Sequence, residues 1–221
     1  MFLCFLFKNQ LINIENNKNK MVDEHSQIPF SNDPTGEVLE LKIAVLGKSL
    51  VGKSALTYRF ISDKFPTEHD TTIEDQYKIN STIDDYNCRL EILDTAGQDD
   101  YQSMLDTWIG FAEGFVLVYS IDDRESFESL KSKYDRIVKN KGDDIYSVII
   151  VGNKCDLTDK RKVTLEEGQV YANSKGVDFL EVSALKTINV KETFVTLAHN
   201  LLNKKVKPVK PAATDRCCLC F

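Results

Sequence analysis

Eight residues near the start of the ordered part of the chain limit its fold more than any other feature. Gly47–Ser54 reads Gly-Lys-Ser-Leu-Val-Gly-Lys-Ser and fits the pattern G-x-x-x-x-G-K-[ST]. The β-branched-rich run Leu41–Leu46, typical of a buried strand, comes directly before it, and the helical run Ala55–Phe60 follows. Such a loop turns backbone N–H groups towards phosphates at a helix N-terminus, where the helix dipole favours anions. We therefore expect Lys53 to reach the β- and γ-phosphates and the Ser54 hydroxyl to ligate Mg²⁺.

Strand-like and helical runs alternate along the following chain. The other strand-like runs are Gln76–Ile83, Cys88–Leu93, Phe115–Tyr119 and Ser147–Val151, with a turn expected at Asp84–Asn87. Helical spacing marks Arg124–Lys139 and an apolar stripe from Val190 to Leu201. Asn189 is the expected N-cap of that last helix, with a glutamate three residues on as in a capping box. The alternation predicts an α/β domain with a mostly parallel sheet over residues 39–206.

The N-terminal segment and the composition exclude several classes of protein. Residues 1–38 are polar after the apolar start Met1–Phe7, which indicates a disordered extension; translation from Met1 or from Met21 stays open. A signal peptide is disfavoured because no basic region precedes the apolar run. The net charge of −6 argues against a nucleic-acid binder, and no apolar stretch is long enough for a transmembrane helix. Three of the six cysteines lie in the last five residues, a distribution that favours a reducing compartment.

The choice of base is indicated by Asn153-Lys154-Cys155-Asp156, just after the apolar run that ends at Val151. Guanine presents two N–H donors on one edge, and the Asp156 carboxylate can accept both in charge-assisted hydrogen bonds. Adenine lacks this pair and would leave the carboxylate unpaired, at a large cost in binding free energy. The segment therefore predicts guanine and disfavours an ATP-dependent phosphotransferase.

Two further segments carry groups suited to the phosphate end of a nucleotide. In Asp94-Thr95-Ala96-Gly97-Gln98, the aspartate can hold the metal through water, and the Gly97 N–H can approach the γ-phosphate. Gln98 is placed to orient an attacking water. Upstream, Asp70–Asp75 offers a threonine hydroxyl that can complete Mg²⁺ coordination only while the γ-phosphate is present. Such a segment is ordered by GTP and released after hydrolysis.

In order and spacing these segments resemble those of small GTPases of the Ras family. The matching pieces are the loop Gly47–Ser54, Thr72–Tyr77, Asp94–Gln98, Asn153–Asp156 and Glu181–Ala184. The resemblance implies the P-loop GTPase fold, an α/β structure with a six-stranded, mostly parallel sheet flanked by about five helices. It places the nucleotide at the carboxyl edge of the strands.

The resemblance also implies a role for each matching residue. Gln98 and Lys53 would be catalytic, and Ser54, Thr72 and Asp94 would hold Mg²⁺. The residues expected to bind GTP or GDP are Gly47, Lys48, Ser49, Leu50, Val51, Gly52, Lys53, Ser54, Phe65, Thr72, Asp94, Thr95, Ala96, Gly97, Gln98, Asn153, Lys154, Asp156, Ser183 and Ala184. Among them, Phe65 would stack on guanine, and the Ser183-Ala184 backbone would bond its carbonyl.

Two switch segments follow from the same resemblance. The first, which faces effectors, comprises His69, Asp70, Thr71, Thr72, Ile73, Glu74, Asp75, Gln76 and Tyr77. The second runs from Gly97 to about Trp108, and Tyr101 with Met104 is similar to the Ras branch. We therefore expect a GDP/GTP switch that binds Ras-type effector domains in its GTP state and hydrolyses GTP. Its regulators would be a guanine nucleotide exchange factor and a GTPase-activating protein.

The chain departs from the family pattern at five positions. Ser49 and Leu50 replace two loop glycines, and residue 49 faces the γ-phosphate in that fold. His69 replaces a tyrosine, Thr71 replaces a proline, and Leu185 replaces the lysine whose stem covers the base. The first pair leads us to expect slow intrinsic hydrolysis. The alternative to a hydrolysing switch is a GTP-loaded binding module that scarcely turns over.

The C-terminal residues 207–221 are predicted to be a basic, variable tail that ends in a lipid signal. Cys218-Leu219-Cys220-Phe221 fits a C-a-a-X box whose terminal Phe favours geranylgeranylation of Cys218, followed by methylation. Cys217 offers a site for a palmitoyl chain, whereas a zinc site is disfavoured because no fourth ligand lies near. Four lysines lie within this tail or just before it, namely Lys204, Lys205, Lys207 and Lys210. We expect a prenyltransferase and an anionic membrane surface as partners, and a lipid-anchored location on the cytoplasmic face of the cell membrane.

Overall fold

A central six-stranded sheet organises the domain. The computed structural model describes residues 38–66, 74–97 and 104–206. The strands are β1 Leu39–Gly47, β2 Glu74–Ile83, β3 Tyr86–Thr95, β4 Gly114–Ser120, β5 Ser147–Asn153 and β6 Asp178–Glu181. Their spatial order is β2-β3-β1-β4-β5-β6, and every neighbouring pair is parallel except the β2–β3 hairpin. This arrangement confirms the predicted α/β fold with a mostly parallel sheet.

Five α-helices accompany the sheet within the described residues. They are α1 Lys53–Ser62, α2 Leu105–Phe111, α3 Arg124–Lys141, α4 Leu165–Lys175 and α5 Val190–Lys205. Local signals fix several of their ends. The Asp123 carboxylate accepts a hydrogen bond from the Glu125 N–H at the start of α3, and Thr164 forms a capping box with Glu167 at the start of α4. Gly176 ends α4 in the left-handed conformation that favours glycine.

The helices cover both faces of the sheet and create two apolar layers. On one face, α1 and α5 pack through Leu56, Phe194 and Leu197 against alternate residues of β1 and β3. On the other face, α2, α3 and α4 pack through residues such as Trp108 and Phe127. Strands β4 and β5 are buried along their whole lengths. Parallel strands covered on both faces read as continuous apolar runs, which explains why the sequence predicted them well.

The sequence-based boundaries and one capping interaction need correction. Strand β2 begins two residues before the predicted Gln76, and the hairpin turn is confined to Asp84-Asp85, so that Tyr86 and Asn87 already belong to β3. Asn189 does precede α5, but its side chain accepts no capping hydrogen bond. Instead, Asn189 adopts a left-handed backbone with φ of 53°, and its amide Nδ2 donates to the Glu181 carbonyl at 2.7 Å. The predicted capping box is therefore wrong.

The predicted extension, apart from Val38, and the predicted tail lie outside the described residues. The limits proposed for them stay predictions. Among the helices of the described part, none is long and apolar enough to cross a membrane.

Candidate functional site

The predicted site segments meet at one edge of the sheet. The phosphate-binding loop follows β1, the segment Asp94–Gly97 ends β3, and Asn153–Asp156 ends β5. The pair Ser183-Ala184 follows β6. All four strands run parallel, so their carboxyl ends lie on the same side of the sheet, where ligands bind in open α/β folds.

Within the loop, glycine is required next to the first turn of α1. Gly52 has φ of 92°, and a Cβ on it would lie 2.5 Å from the Asn153 Nδ2 atom. Lys53 then starts α1, is 6% exposed, and donates from Nζ to the Lys48 carbonyl at 3.0 Å. Burial lowers the pKa of Lys53 to about 8, an effect that the nearby Asp94 charge opposes. The loop therefore wraps around a buried ammonium group at a helix N-terminus, an arrangement suited to phosphate.

Asp94 is the second buried charge of the site. It is 1% exposed, and burial raises the pKa of its carboxyl group to about 6, against the opposing effects of Ser54 and Lys53. Neither carboxylate oxygen has a well-formed hydrogen bond among the described residues, although the Ser54 hydroxyl is near enough to lower the pKa. A buried carboxylate in this condition is costly unless a cation compensates it. The combination of Asp94 oxygens with a neighbouring hydroxyl fits Mg²⁺, which prefers oxygen ligands and keeps water or phosphate oxygens as the rest.

Gly97 closes the phosphate end of the site. A Cβ on this residue would lie 2.4 Å from Lys53 Nζ and 2.5 Å from the Ser49 nitrogen. Hence the chain leaving β3 passes directly over the phosphate-binding loop, and only glycine permits that approach. Within the described part of the chain, no cluster of three or more His, Cys, Asp or Glu side chains is present.

Asn153 connects the phosphate end to the base end. Its Nδ2 donates to the Val51 carbonyl at 2.8 Å, and its Oδ1 accepts from Lys154 N at 2.8 Å and from Ala184 N at 3.4 Å. On the same edge, the Ser183 hydroxyl donates to Asp156 Oδ1. One buried amide thus joins the phosphate-binding loop to both segments that were predicted to recognise the base.

Comparison with known proteins agrees with this geometry. The family model described as Ras family matches residues 42–203, the whole span that contains the four site segments. The chain belongs to the Ras family. It is also 43% identical over 169 residues to the "Ras-like protein rasB" of Dictyostelium discoideum, covering 76% of this chain and 86% of that protein. Ras-family membership supports a small GTPase that switches between GDP and GTP, generally with Mg²⁺, and that works with exchange factors, GTPase-activating proteins and effectors.

Several predicted site residues lie outside the described parts of this Ras-family chain. They are His69, Asp70, Thr71, Thr72, Ile73, Gln98, Tyr101, Cys217 and Cys218. The remaining effector-region residues Glu74–Tyr77 open β2, the edge strand of the sheet. Glu74 accepts a hydrogen bond from the Trp108 indole at 2.7 Å, which links the end of the first switch segment to helix α2. Gln76 donates to Glu91 on β3 at 2.8 Å.

Two features of the site were not found from the sequence. Lys48 pairs with Glu125 at 2.7 Å and lies 3.6 Å from Asp123, so the phosphate-binding loop is tied to the start of α3. The hydrogen bond that Lys48 donates to the Glu125 carboxylate is the main reason that the pKa of Lys48 is raised. Arg59 on α1 reaches the loop after β6. Lys48 belongs to the phosphate-binding motif and Arg59 to no motif, but both contacts join residues far apart in the sequence, which a local pattern does not reveal.

Proposed function

We propose that this protein is a Ras-like signalling GTPase that binds effectors in its GTP state at a membrane and returns to GDP by hydrolysis. The observation that carries the proposal is the position of Asn153, which bonds the phosphate-binding loop and the two base-recognition segments at once. These segments therefore act as one site rather than as separate loops. Family membership supports the same conclusion.

At the phosphate end, Lys53 and the loop N–H groups bind the β- and γ-phosphates. Ser54, Asp94 and Thr72 would hold Mg²⁺ there. When bound, the ion neutralises charge that develops on the phosphate oxygens. The buried, under-bonded Asp94 carboxylate beside the Lys53 ammonium supports these roles. Gln98 orients the attacking water, and Gly97 offers its N–H to the γ-phosphate.

At the base end, Asp156 accepts the two N–H donors of guanine, and the Ser183 hydroxyl keeps that carboxylate oriented. The Ala184 N–H lies on the same side as Asn153 and is assigned to the guanine carbonyl. Phe65, half-buried against the α1–α5 apolar layer, supplies the stacking face. Adenine would leave Asp156 without its donors, so the site selects guanine.

A slowly hydrolysing, GTP-loaded module is the second candidate, and one observation favours it. Ser49 adds a side chain beside Gly97, where the loop and the second switch segment already approach within contact distance. Leu50 adds an apolar side chain that is 88% exposed at the rim of the loop. Ser49 narrows the space in which water and Gln98 must meet, and Leu50 narrows the approach of a partner's arginine.

For location, we propose that geranylgeranylated Cys218, with palmitate on Cys217, anchors the protein to the cytoplasmic face of the cell membrane. A single lipid chain gives marginal binding, so a second signal is required. The C-a-a-X box and the neighbouring lysines support this proposal.

Competition against fluorescent GDP tests the guanine assignment. We expect GDP and GTP to displace the probe far better than ADP and ATP. Asp156→Asn should weaken GDP binding at least ~10-fold, about 1.4 kcal/mol. Asp159→Asn is the matched control, because Asp159 is exposed on the short helical turn Thr158–Lys160 that follows. Equal displacement by ATP would refute the guanine site.

A further inference from the structure

Arg59, near the carboxyl end of α1, donates hydrogen bonds to three backbone carbonyls. Its Nε donates to the Ala184 carbonyl at 2.9 Å and its Nη2 to the Leu185 carbonyl at 3.3 Å. Its Nη1 donates to the Asp63 carbonyl at 3.0 Å. The same guanidinium lies 5.8 Å from the centroid of the Phe65 ring. Arginine has a rigid fork of donors, so one planar group can hold all three carbonyls in a fixed arrangement.

The carbonyls come from the two loops that flank the proposed base position. Ala184 and Leu185 follow β6, whereas Asp63 begins the loop that carries Phe65 after α1. In the loop after β6, Ala184 is buried, whereas Leu185 beyond it is 51% exposed and Thr187 has a left-handed backbone with φ of 59°. A short bridge between Ser183 and Ile188 closes its base. Arg59 thus supplies a tie between this loop and α1, the helix that starts at the phosphate-binding loop.

We propose that Arg59 is a positioning residue for the guanine base, holding the two walls of the base pocket at a fixed separation. The inference rests on the guanine site proposed above. Arg59 bonds loop carbonyls and does not use the Ala184 N–H, which makes a long contact of 3.4 Å with Asn153 Oδ1. Removing it should therefore loosen base binding while leaving the phosphate contacts, and hence the chemical step, unchanged.

A simpler role for Arg59 is a positive charge in the last turn of α1, where cations are favoured. The two roles differ in what lysine can replace. Arg59→Lys keeps the charge at the helix end but cannot form the three-carbonyl fork. Arg59→Gln removes both. Arg89→Gln is a matched control, because Arg89 is a partly exposed arginine on β3 that contacts Glu40 and Asn80 instead of the site.

The test measures release of fluorescent GDP together with amide hydrogen exchange of residues 183–186. We expect Arg59→Lys and Arg59→Gln to release GDP about tenfold faster, the size expected for losing roughly one well-formed hydrogen bond. Exchange at 183–186 should rise in both variants, with and without nucleotide. Phosphate release from preloaded GTP should stay within about twofold of wild type. Arg89→Gln should change none of these quantities.

Three results would overturn the inference. They are unchanged GDP release in both variants, a lysine variant that behaves as wild type, and unchanged exchange at 183–186. If the wild-type protein shows no preference for guanine, the proposed function fails. Amide hydrogen exchange of the nucleotide-free protein still decides whether Arg59 holds the loop after β6. A melting curve by circular dichroism for each variant distinguishes a loosened loop from general unfolding. Arg59→Lys, the smaller change, is compared with the wild-type protein first.

Discussion

Ser49 and Leu50 are adjacent, yet the structure gives them different environments, and their substitution by glycine should have separable effects. Ser49 is partly buried, and its nitrogen lies where a Cβ on Gly97 would clash. Leu50 is 88% exposed and adopts a left-handed backbone with φ of 64°. Ser49 therefore affects the space around the γ-phosphate, whereas Leu50 affects the backbone strain of the loop and access to its rim.

The magnitudes follow from these positions. A left-handed backbone costs a residue with a Cβ about 1–2 kcal/mol, which glycine avoids, while glycine loses about 0.5–1 kcal/mol through the greater freedom of the unfolded chain. Leu50→Gly gives up almost no burial, so it should change the free energy of unfolding by between zero and about 1.5 kcal/mol of stabilisation. Small displacements of positioned groups can cost ~10²-fold in rate, and an arginine finger contributes ~10³–10⁵-fold. Most of the catalytic effect should therefore come from Ser49→Gly.

Single-turnover phosphate release, with and without a Ras-type activating protein, measures the outcome. We expect wild-type turnover at or below the ~3–5 × 10⁻⁴ s⁻¹ of Ras itself, with little stimulation. Ser49→Gly should restore at least ~10²-fold stimulation, and the double glycine variant should restore more. Leu50→Gly alone should leave unstimulated turnover unchanged and raise the urea midpoint slightly. Wild-type stimulation equal to that of the double variant would refute the argument that these side chains obstruct the site.

Three other predictions address the core, the switch and the anchor. Tyr119→Phe should leave stability unchanged or raise it by up to ~1 kcal/mol in urea unfolding, because the buried Tyr119 hydroxyl has no hydrogen-bond partner among the described residues. Gly168→Ala is the contrasting variant, because its Cβ would lie 2.6 Å from that hydroxyl, and it should lower the free energy of unfolding by about 1–3 kcal/mol. If Tyr119→Phe itself lowered the free energy of unfolding by more than about 1 kcal/mol, the first expectation would be contradicted. Thr72→Ala should spare GDP affinity but abolish GTP-dependent binding to Ras-type effector domains, whereas Ser54→Ala should lower the affinity for both GDP and GTP. If Thr72→Ala still bound effector domains, the segment that contains Thr72 would not be the switch. Cys218→Ser should move the protein from the membrane to the soluble fraction, and an unmodified C-terminus in mass spectra of the native protein would reject the lipid anchor.

The sequence predicted the central strands well because their environment is uniform. Strands β4 and β5 are buried on both faces, so an apolar run in the sequence corresponds directly to a strand. Strand β2 is different, since most of its residues are exposed on the edge of the sheet, and its start was placed two residues late. The four-residue β6 carries no distinctive run, and its presence followed only from the family resemblance.

The motifs predicted the position of the site correctly because the backbone geometry at the strand ends limits which residues can occupy those positions. Gly52 illustrates this limit, because its left-handed backbone and the nearby Asn153 amide exclude a side chain. The interactions that the sequence did not predict join residues far apart in the chain. Arg59 reaches Ala184 across 125 positions, and Asn153 reaches Val51 across 102. Only the folded arrangement brings such partners together.

Long-range contacts within the domain also change the contribution that the lysines are expected to make to membrane binding. Lys205 pairs with Glu113 at 2.6 Å and donates to the Glu40 carbonyl at 3.1 Å, and Lys204 donates to the Tyr146 carbonyl at 2.7 Å. These acceptors lie at or just before the amino ends of β1, β4 and β5, at the opposite edge of the sheet from the candidate site. Each free lysine near an anionic leaflet contributes roughly 1 kcal/mol, so two lysines already engaged within the domain reduce the electrostatic attraction available to the tail. In the proposed membrane-bound state, Lys207 and Lys210 are the lysines that remain for the leaflet. The palmitoyl chain on Cys217 would therefore contribute a larger share of the anchoring than it would beside four free lysines.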